Sequence, residues 1–229
     1  MKVVFWNVQR IGNVNPKSEE GSLRYGYFWA TFKEFIANGA DLILLCEISQ
    51  NGADLAKEIK ANFGGWTAEY VAVGCTRSDG VSPCGFLVAA NGDFRFQPRG
   101  ITSKRPAVAV GYGGEVITCC HIVATGADPS KEEILDFLMD MKAGSYLLGD
   151  MNYRIEKWEL TDNKKEITAL DVKAVKPGAL AYTFQSKNNS KTKLLDYIFA
   201  PANAAVGSFE PTKSHDFDII DHCPVGYIL

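Results

Sequence analysis

Six short apolar runs in this chain each end on residues able to ligate a cation or move a proton. Trp6 is followed by Asn7, and Leu44-Leu45-Cys46 by Glu47. Cys119-Cys120 is followed by His121, and Tyr146-Leu147-Leu148-Gly149 by Asp150, with Asn152 two residues on. Leu194-Leu195 leads into Asp196, and Ile219-Ile220 into Asp221 and His222. One such residue means little, because an Asp after a strand is commonly a turn or cap residue. A single His at the end of an apolar strand is commonly a satisfied core residue. Six strand ends carrying this set make coincidence a poor explanation, and two of the three histidines in the chain belong to it.

The residue types match what phosphodiester hydrolysis needs. Carboxylate oxygens hold a hard cation, which neutralises developing charge and positions water. A carboxylate or imidazole orients or deprotonates that water. Neutral or cationic donors stabilise the crowded phosphate. Asp150 and Asn152 are two apart, so an extended backbone points both to one face. Asp221 and His222 are adjacent and diverge, one toward a metal and the other toward a phosphate.

The elements that must position these residues read as alternating apolar runs and helical patterns. Val3 to Trp6 and Asp41 to Cys46 are buried strands. Phe28, Phe32, Phe35 and Ile36 recur at helical spacing, which predicts a helix near 22–38 stopped by Asn38-Gly39. Leu55 and Ile59 mark a shorter amphipathic helix. Strands follow near 67–73, 84–90, 106–111 and 115–121, with turns at Asn91-Gly92 and Gly113-Gly114. Ile134, Leu135, Leu138 and Met141 mark a further helix. Strands close the chain at 145–149, 194–200 and 224–228. Strands arrive in pairs between helices, which favours mixed sheets over a strictly alternating doubly wound sheet.

With 229 residues and 46% hydrophobic content, the chain suits one large α/β domain, residues 1–229, with a sizeable core. The net charge of −3 offers no global basic field for nucleic acid, so phosphate contacts must come from local basic loops. Lys187, Lys191 and Lys193 crowd a loop rich in Asn and Ser that leads into Asp196, where they could track a backbone. Arg10 and Arg24, beyond Asn7, could do the same. No run is long enough to span a membrane. No signal peptide is evident, which fits a cytoplasmic protein or the mature form of a secreted one. Six cysteines form no CxxC pair, arguing against zinc. Cys46, Cys119 and Cys120 read as core residues, and Cys75 and Cys84 flank a loop where a disulfide could form.

The blocks Trp6-Asn7-Val8-Gln9, Cys46-Glu47, Cys120-His121-Ile122, Leu148-Gly149-Asp150-Met151-Asn152, Leu195-Asp196-Tyr197 and Asp221-His222-Cys223-Pro224-Val225 resemble, in order, those of the endonuclease/exonuclease/phosphatase superfamily. Within it the chain looks most like deoxyribonuclease-I-like enzymes, and among these the catalytic B subunits of cytolethal distending toxins. Gly39 to Ile43, Arg105 to Val110, His121 to Asp128 and Leu194 to Tyr197 carry that closer likeness.

The resemblance implies a four-layer sandwich of two mixed β-sheets flanked by helices. It implies a Mg2+-dependent phosphodiesterase, with Mn2+ or Ca2+ as possible substitutes. Glu47 would be the main metal ligand, with Asn7 and Asp221 beside it. His121 and His222 would flank the scissile phosphate, and Asp196 would pair with one of them, His222 by preference. Asp150 would orient water, Asn152 would hold a phosphate oxygen, and Arg105 would contact phosphate. Two departures stand out. Ser82 to Phe86 offers no carboxylate to support His121, where deoxyribonuclease I has one. Gly149 to Ile155 is more similar to the block of inositol polyphosphate 5-phosphatases, which would make Arg154 a ligand for a second phosphate unless Tyr153-Arg154 merely starts a helix. The favoured expectation is a DNA endonuclease, with toxin delivery subunits as the partners the resemblance implies. The alternative is a phosphoinositide or inositol-phosphate phosphatase. A catalytically dead binding module fits poorly, because every expected position is filled.

Overall fold

The computed structural model describes residues 1–9, 11, 17–48, 51–72, 85–99, 107–122, 127–186 and 192–229; for 96–99 and 127 only the backbone is described. β1 (Lys2–Asn7) leads through α1 (Glu19–Ala37) to β2 (Leu42–Ile48), and α2 (Gly52–Asn62) leads to β3 (Trp66–Ala72) and β4 (Gly85–Asn91). A second set follows: β5 (Arg95–Arg99), β6 (Ala107–Tyr112), β7 (Glu115–His121), α3 (Ala127–Asp140) and β8 (Tyr146–Asp150). A short 3-10 helix (Ile155–Glu159) and α4 (Thr161–Ala169) precede β9 (Val172–Val175), β10 (Phe184–Gln185) and β11 (Thr192–Lys193). The chain ends with β12 (Asp196–Pro201), β13 (Gly207–Phe209) and β14 (Val225–Ile228).

Two six-stranded sheets result, ordered β13-β14-β1-β2-β4-β3 and β5-β6-β7-β8-β12-β9. Each is mixed, with one parallel pair near its centre: β1 with β2, and β7 with β8. Parallel neighbours need a crossover, and α1 and α3 supply it. α1 starts where the Ser18 side chain accepts from Gly21 N at 3.1 Å, with Glu19 and Glu20 complementing the positive helix end. It stops at Asn38-Gly39 as expected. Gly39 takes φ +77°, and the N–H groups of Gly39 and Ala40 close on the carbonyls of Ile36 and Phe35.

In the central strands, successive residues pack on opposite sides with period two. Val3, Phe5, Leu42 and Leu44 pack across the gap against Val108, Ile117, Tyr146, Leu148 and Ile198 of the other sheet. Val4, Trp6, Ile43 and Leu45 instead pack under Phe28, Phe32 and Phe35 of α1 and Leu55 and Ile59 of α2. Cys120, Leu147, Tyr197 and Phe199 pack against Ile134, Phe137 and Leu138 of α3. The layers are therefore helix, sheet, sheet, helix, which is the four-layer sandwich expected. Cys46, Cys119 and Cys120 are buried and free; Cys75 and Cys84 lie outside the described residues. Among the described residues no helix is long and apolar enough to cross a membrane.

Candidate active site

The alternation that sorts the core also aims the site. Val3 and Phe5 face the gap between the sheets, so Asn7 falls on the same side. The same count from Ile117 and Cys119 delivers His121, from Tyr146 and Leu148 Asp150, and from Ile198 and Ala200 Asp196. Glu47 breaks the rule. Leu42, Leu44 and Cys46 face the gap, so a regular strand would turn Glu47 toward the helices. Instead the pairing of β2 with β4 shifts register between Leu45 and Ile48, and Glu47 takes φ +56°. A left-handed non-glycine residue costs on the order of 1–3 kcal/mol and commonly marks a functional position. Here the irregularity returns the carboxylate to the gap.

The side chains meet at one edge of both sheets. Asn7 Nδ2 donates to Asp150 Oδ2 at 3.0 Å and lies 3.5 Å from Glu47 Oε1. His121 Nε2 is 3.3 Å from Glu47 Oε1 and 3.5 Å from Asp150 Oδ2. His222 Nδ1 contacts Asp196 Oδ2 at 2.9 Å and Oδ1 at 3.1 Å, while Nε2 lies 3.7 Å from Asp150 Oδ2. Asp150 therefore touches both histidines and the asparagine. Glu47 and Asp150 both meet His121 on Nε2; Ser82 to Cys84, in the stretch where deoxyribonuclease I has its supporting carboxylate, lie outside the described residues.

Burial and charge set the protonation states. Burial pushes the His222 imidazole down, but Asp196, Asp150 and Asp221 outweigh that and hold its pKa up, at about 10. His222 is thus an imidazolium at neutral pH, donating to Asp196. Asp150 is driven upward by burial and by the Asp196 charge, against the opposing pull of His222, His121 and the Asn152 N–H.

Asn152 departs from the expected extended geometry. Its φ is +47°, its N–H donates to Asp150 Oδ1 at 2.9 Å, and its Nδ2 donates to the Ile122 carbonyl at 2.9 Å. It turns the chain around Asp150 rather than lying parallel to it. Asp221 Oδ2 accepts from Gln9 Nε2 at 2.8 Å, and Gln9 N donates to Asn7 Oδ1 at 3.0 Å. Gln9 thereby bridges two of the expected ligands. Arg24 donates from Nη2 to the Gln9 carbonyl at 2.7 Å, and burial lowers its pKa against the pull of Glu20, Asp221 and Glu47. Arg154 stands at the N-cap of the short 3-10 helix, and its side chain makes no capping hydrogen bond. Lys193 lies on β11; Arg105, Lys187, Lys191 and Arg10 lie outside the described residues.

Sequence reasoning missed Thr183. Fully buried, it accepts on Oγ1 from the N–H groups of Leu195 and Asp196 at 3.0 Å each, and its carbonyl accepts from Cys223 N at 2.7 Å. It ties Asp196 to the segment carrying His222. No period or block announces it, since β10 is two residues long. Trp6 adds a second tie, donating from Nε1 to the His222 carbonyl at 2.8 Å.

The donor set fits a divalent cation. Asp150, Asp196 and His222 offer ligand atoms within 4.8 Å of one another. Glu47 adds a carboxylate beside them, 3.5 Å from the Asn7 amide nitrogen, while Asn7 Oδ1 accepts from Gln9 N. Hard oxygens in this number suit Mg2+ better than a soft metal.

The architecture is that of the deoxyribonuclease-I-like fold. No family model and no curated protein matches the sequence. Solved structures match over the whole chain. An endonuclease/exonuclease/phosphatase family protein from Leptotrichia buccalis aligns with TM-score 0.67 and 14% identity, covering 100% of this chain and 99% of that one. Cytolethal distending toxin from Actinobacillus actinomycetemcomitans gives 0.61 and 18%, covering 99% and 97%. The endonuclease domain of TRAS1, a telomere-specific non-LTR retrotransposon, gives 0.60 and 15%, covering 99% and 96%. The toxin is one neighbour among several, so the expected closest likeness to it does not stand out at the level of fold.

Proposed function

We propose that this chain is a divalent-metal-dependent phosphodiesterase acting on a nucleic-acid backbone, with DNA the favoured substrate. The observation that carries the reading is the convergence of Asn7, Glu47, His121, Asp150, Asp196 and His222 within a continuous set of contacts. The nuclease domain and the toxin among the fold matches support it.

Glu47 and Asn7 would hold the cation, with Asp150 next to them. His222 and Asp196, which with Asp150 offer ligand atoms within 4.8 Å of one another, are held to each other at 2.9 Å and would flank the cation. Bound there, the cation would neutralise charge on a non-bridging phosphate oxygen. His222 keeps Nδ1–H on Asp196 and presents Nε2–H, a cationic donor, to the phosphate. Asp150 accepts from Asn7 and Asn152 in a setting that raises its pKa, so it is suited to take the proton of an attacking water. His121 Nε2 faces the same space, between Glu47 and Asp150. Asn152 gives one Nδ2–H to the Ile122 carbonyl and would keep the other for a phosphate oxygen.

The toxin role, with delivery subunits as partners, rests on the sequence blocks alone; the fold match favours it no more than the retrotransposon nuclease. A second reading has one observation behind it: Arg154 lines a cleft with Lys157 and Lys193, as a phosphoinositide or inositol-phosphate phosphatase would require. Nicking of supercoiled plasmid, set against phosphate release from phosphoinositides, each with Mg2+ and with EDTA, separates the two. Nicking that EDTA abolishes is expected. Phosphate release without nicking would replace the nuclease reading.

A further inference from the structure

The loop from β9 to β10 and the segment that follows β13 face each other across a pocket of about 500 Å3. Its lining includes Leu180, Tyr182, Phe209 and Phe217, together with Cys223 and Pro224, the two residues after His222. That volume is in the range of a small-molecule site. Its chemistry differs from that of the catalytic centre. The lining carries one cation, Lys213, and one anion, Glu210, both exposed, so their charges offset. His215 also lines it, but its Nδ1 is engaged by the Tyr27 hydroxyl at 2.9 Å and its Nε2 by the Ile220 carbonyl at 2.7 Å. The dominant surface is aromatic. The Tyr182 and Phe217 rings stand 5.3 Å apart at 41°, and the Phe217 and His215 rings 4.6 Å apart at 84°. Such a pocket suits a flat, uncharged group rather than a phosphate.

The chain itself joins this pocket to the catalytic centre. Phe184 forms a β-bridge with His222, their rings 5.0 Å apart, and Cys223 N donates to the Thr183 carbonyl at 2.7 Å. Tyr182 precedes Phe184 by two residues, a span of at most about 7 Å. Pro224 follows His222 by the same two. The aromatic pocket is thus one short step from the imidazole, about the reach of a single nucleotide.

We infer that this pocket takes an unpaired nucleobase of the substrate, beside the phosphate cleaved at His222. The inference rests on the phosphodiesterase reading and adds strandedness to it: single-stranded DNA is preferred to an intact duplex. A paired base is stacked within the helix and enters a protein pocket only when it is flipped out, at the cost of its pairing and stacking. The net charge of −3 points the same way. Duplex binding draws mainly on neutralised phosphates, whereas aromatic rings hold the bases of a single strand whatever their sequence.

Binding is measured in EDTA, so that no turnover intervenes. Three fluorescent ligands are titrated: a single-stranded oligonucleotide, its duplex, and a strand of equal length built from baseless residues. The proteins are the wild type, Tyr182→Leu, Phe217→Leu and Tyr182→Phe. Each leucine variant should bind the single strand roughly tenfold more weakly, within the range for one lost base–ring stack. Tyr182→Phe keeps the ring and should bind it as the wild type does. The duplex and the baseless strand should bind all four proteins alike. The wild type gives a second measurement that needs no substitution: it should hold the single strand roughly tenfold more tightly than the baseless one. Leucine variants that bind the single strand like the wild type overturn the pocket, and so do equal losses on all three ligands. A wild type indifferent to the missing bases overturns it as well. The phosphodiesterase reading is checked apart, by plasmid nicking with Mg2+ and with EDTA.

Discussion

The two sheets share a plan and differ in what they deliver. Each has a parallel pair joined by a helical crossover, and each pair ends at the same edge of the sandwich. In the second sheet the ends are level: His121 is paired directly with Asp150. In the first, Asn7 is opposite Cys46, and the carboxylate comes one residue later on an irregular backbone. The second sheet buries its acid, the Asp150 side chain being 2% exposed, while the Glu47 side chain keeps 17%. A regular end gives a dry carboxylate tuned by neighbours. An irregular end gives a more open one, free to meet a hydrated cation. On the proposed reading the shared plan yields a cation side and a proton-handling side.

The strongest way to break this contrast is at Glu47. Glu47→Gln keeps the shape and removes the charge, so turnover should fall by roughly 10³-fold or more while the melting temperature holds. Mg2+-dependent hydrolysis of plasmid and a thermal melt check both halves. Turnover near wild type would move the cation to Asp150, Asp196 and His222 and end the division between the sheets.

The histidines sharpen it. His121→Ala and His222→Ala should each cost roughly 10²–10⁴ in rate. His222 should cost at least as much, because Asp196 fixes its ring and its charge, whereas His121 borrows Glu47 and Asp150, which have other duties. Asp196→Asn should then cost nearly what His222→Ala costs, and the double variant little more. Additive losses in that pair, measured as kcat/KM, would show that the two do not act as a unit.

How much of this was legible follows from the same contrast. Wherever plain alternation decides the direction of a side chain, as for Asn7, His121, Asp150 and Asp196, a count along the apolar run sufficed. The crossover helices were legible from their spacing, and α1 also from its stop at Asn38-Gly39. Glu47 was found by its block, but its left-handed backbone was not, because nothing in Cys46-Glu47-Ile48 requires a bulge. Asn152 was read as extended and is a turn, since the demand for that turn comes from Asp150 Oδ1 and the Ile122 carbonyl. β5, β9, β10, β11, β13 and α4 were missed: short peripheral elements carry little periodicity and are made by their partners. Thr183 and Gln9 act through backbone contacts far along the chain, which no local pattern records.

A smaller effect tests the level ends directly. A Cβ on Gly149 would stand 2.1 Å from the Cys120 carbonyl oxygen, so β7 and β8 approach closely only because that residue is glycine. Gly149→Ala should lower stability by about 2 kcal/mol, seen as a shifted denaturant midpoint, and should disturb the His121–Asp150 pair. An unchanged midpoint would mean that the strands separate at no cost, and that their level pairing is not what holds the dry side together.

The smallest expected effect concerns the leash of His222 on the first sheet. His215 lies against Trp6, its Nδ1 2.9 Å from the Tyr27 hydroxyl and its Nε2 2.7 Å from the Ile220 carbonyl. The geometry fits a neutral ring that donates from Nε2 and accepts at Nδ1 from Tyr27. Burial lowers its pKa to about 4, against the raising pull of the Ile220 carbonyl and Asp216. A histidine with a depressed folded pKa stabilises the fold above its unfolded value of about 6.5. That contribution fades as pH falls through the window down to about 4, where the unfolded chain binds the extra proton. At pH 5.5 the loss should already be roughly 1 kcal/mol relative to pH 8. Other groups titrate in the same range, so the observable is a difference: denaturant midpoints at both pH values for wild type and His215→Gln, whose amide can still donate to Ile220. The wild type should lose more stability on acidification than the variant. Equal losses would remove His215 from the account and leave Trp6 and Thr183 as the ties that hold His222 at the cleft.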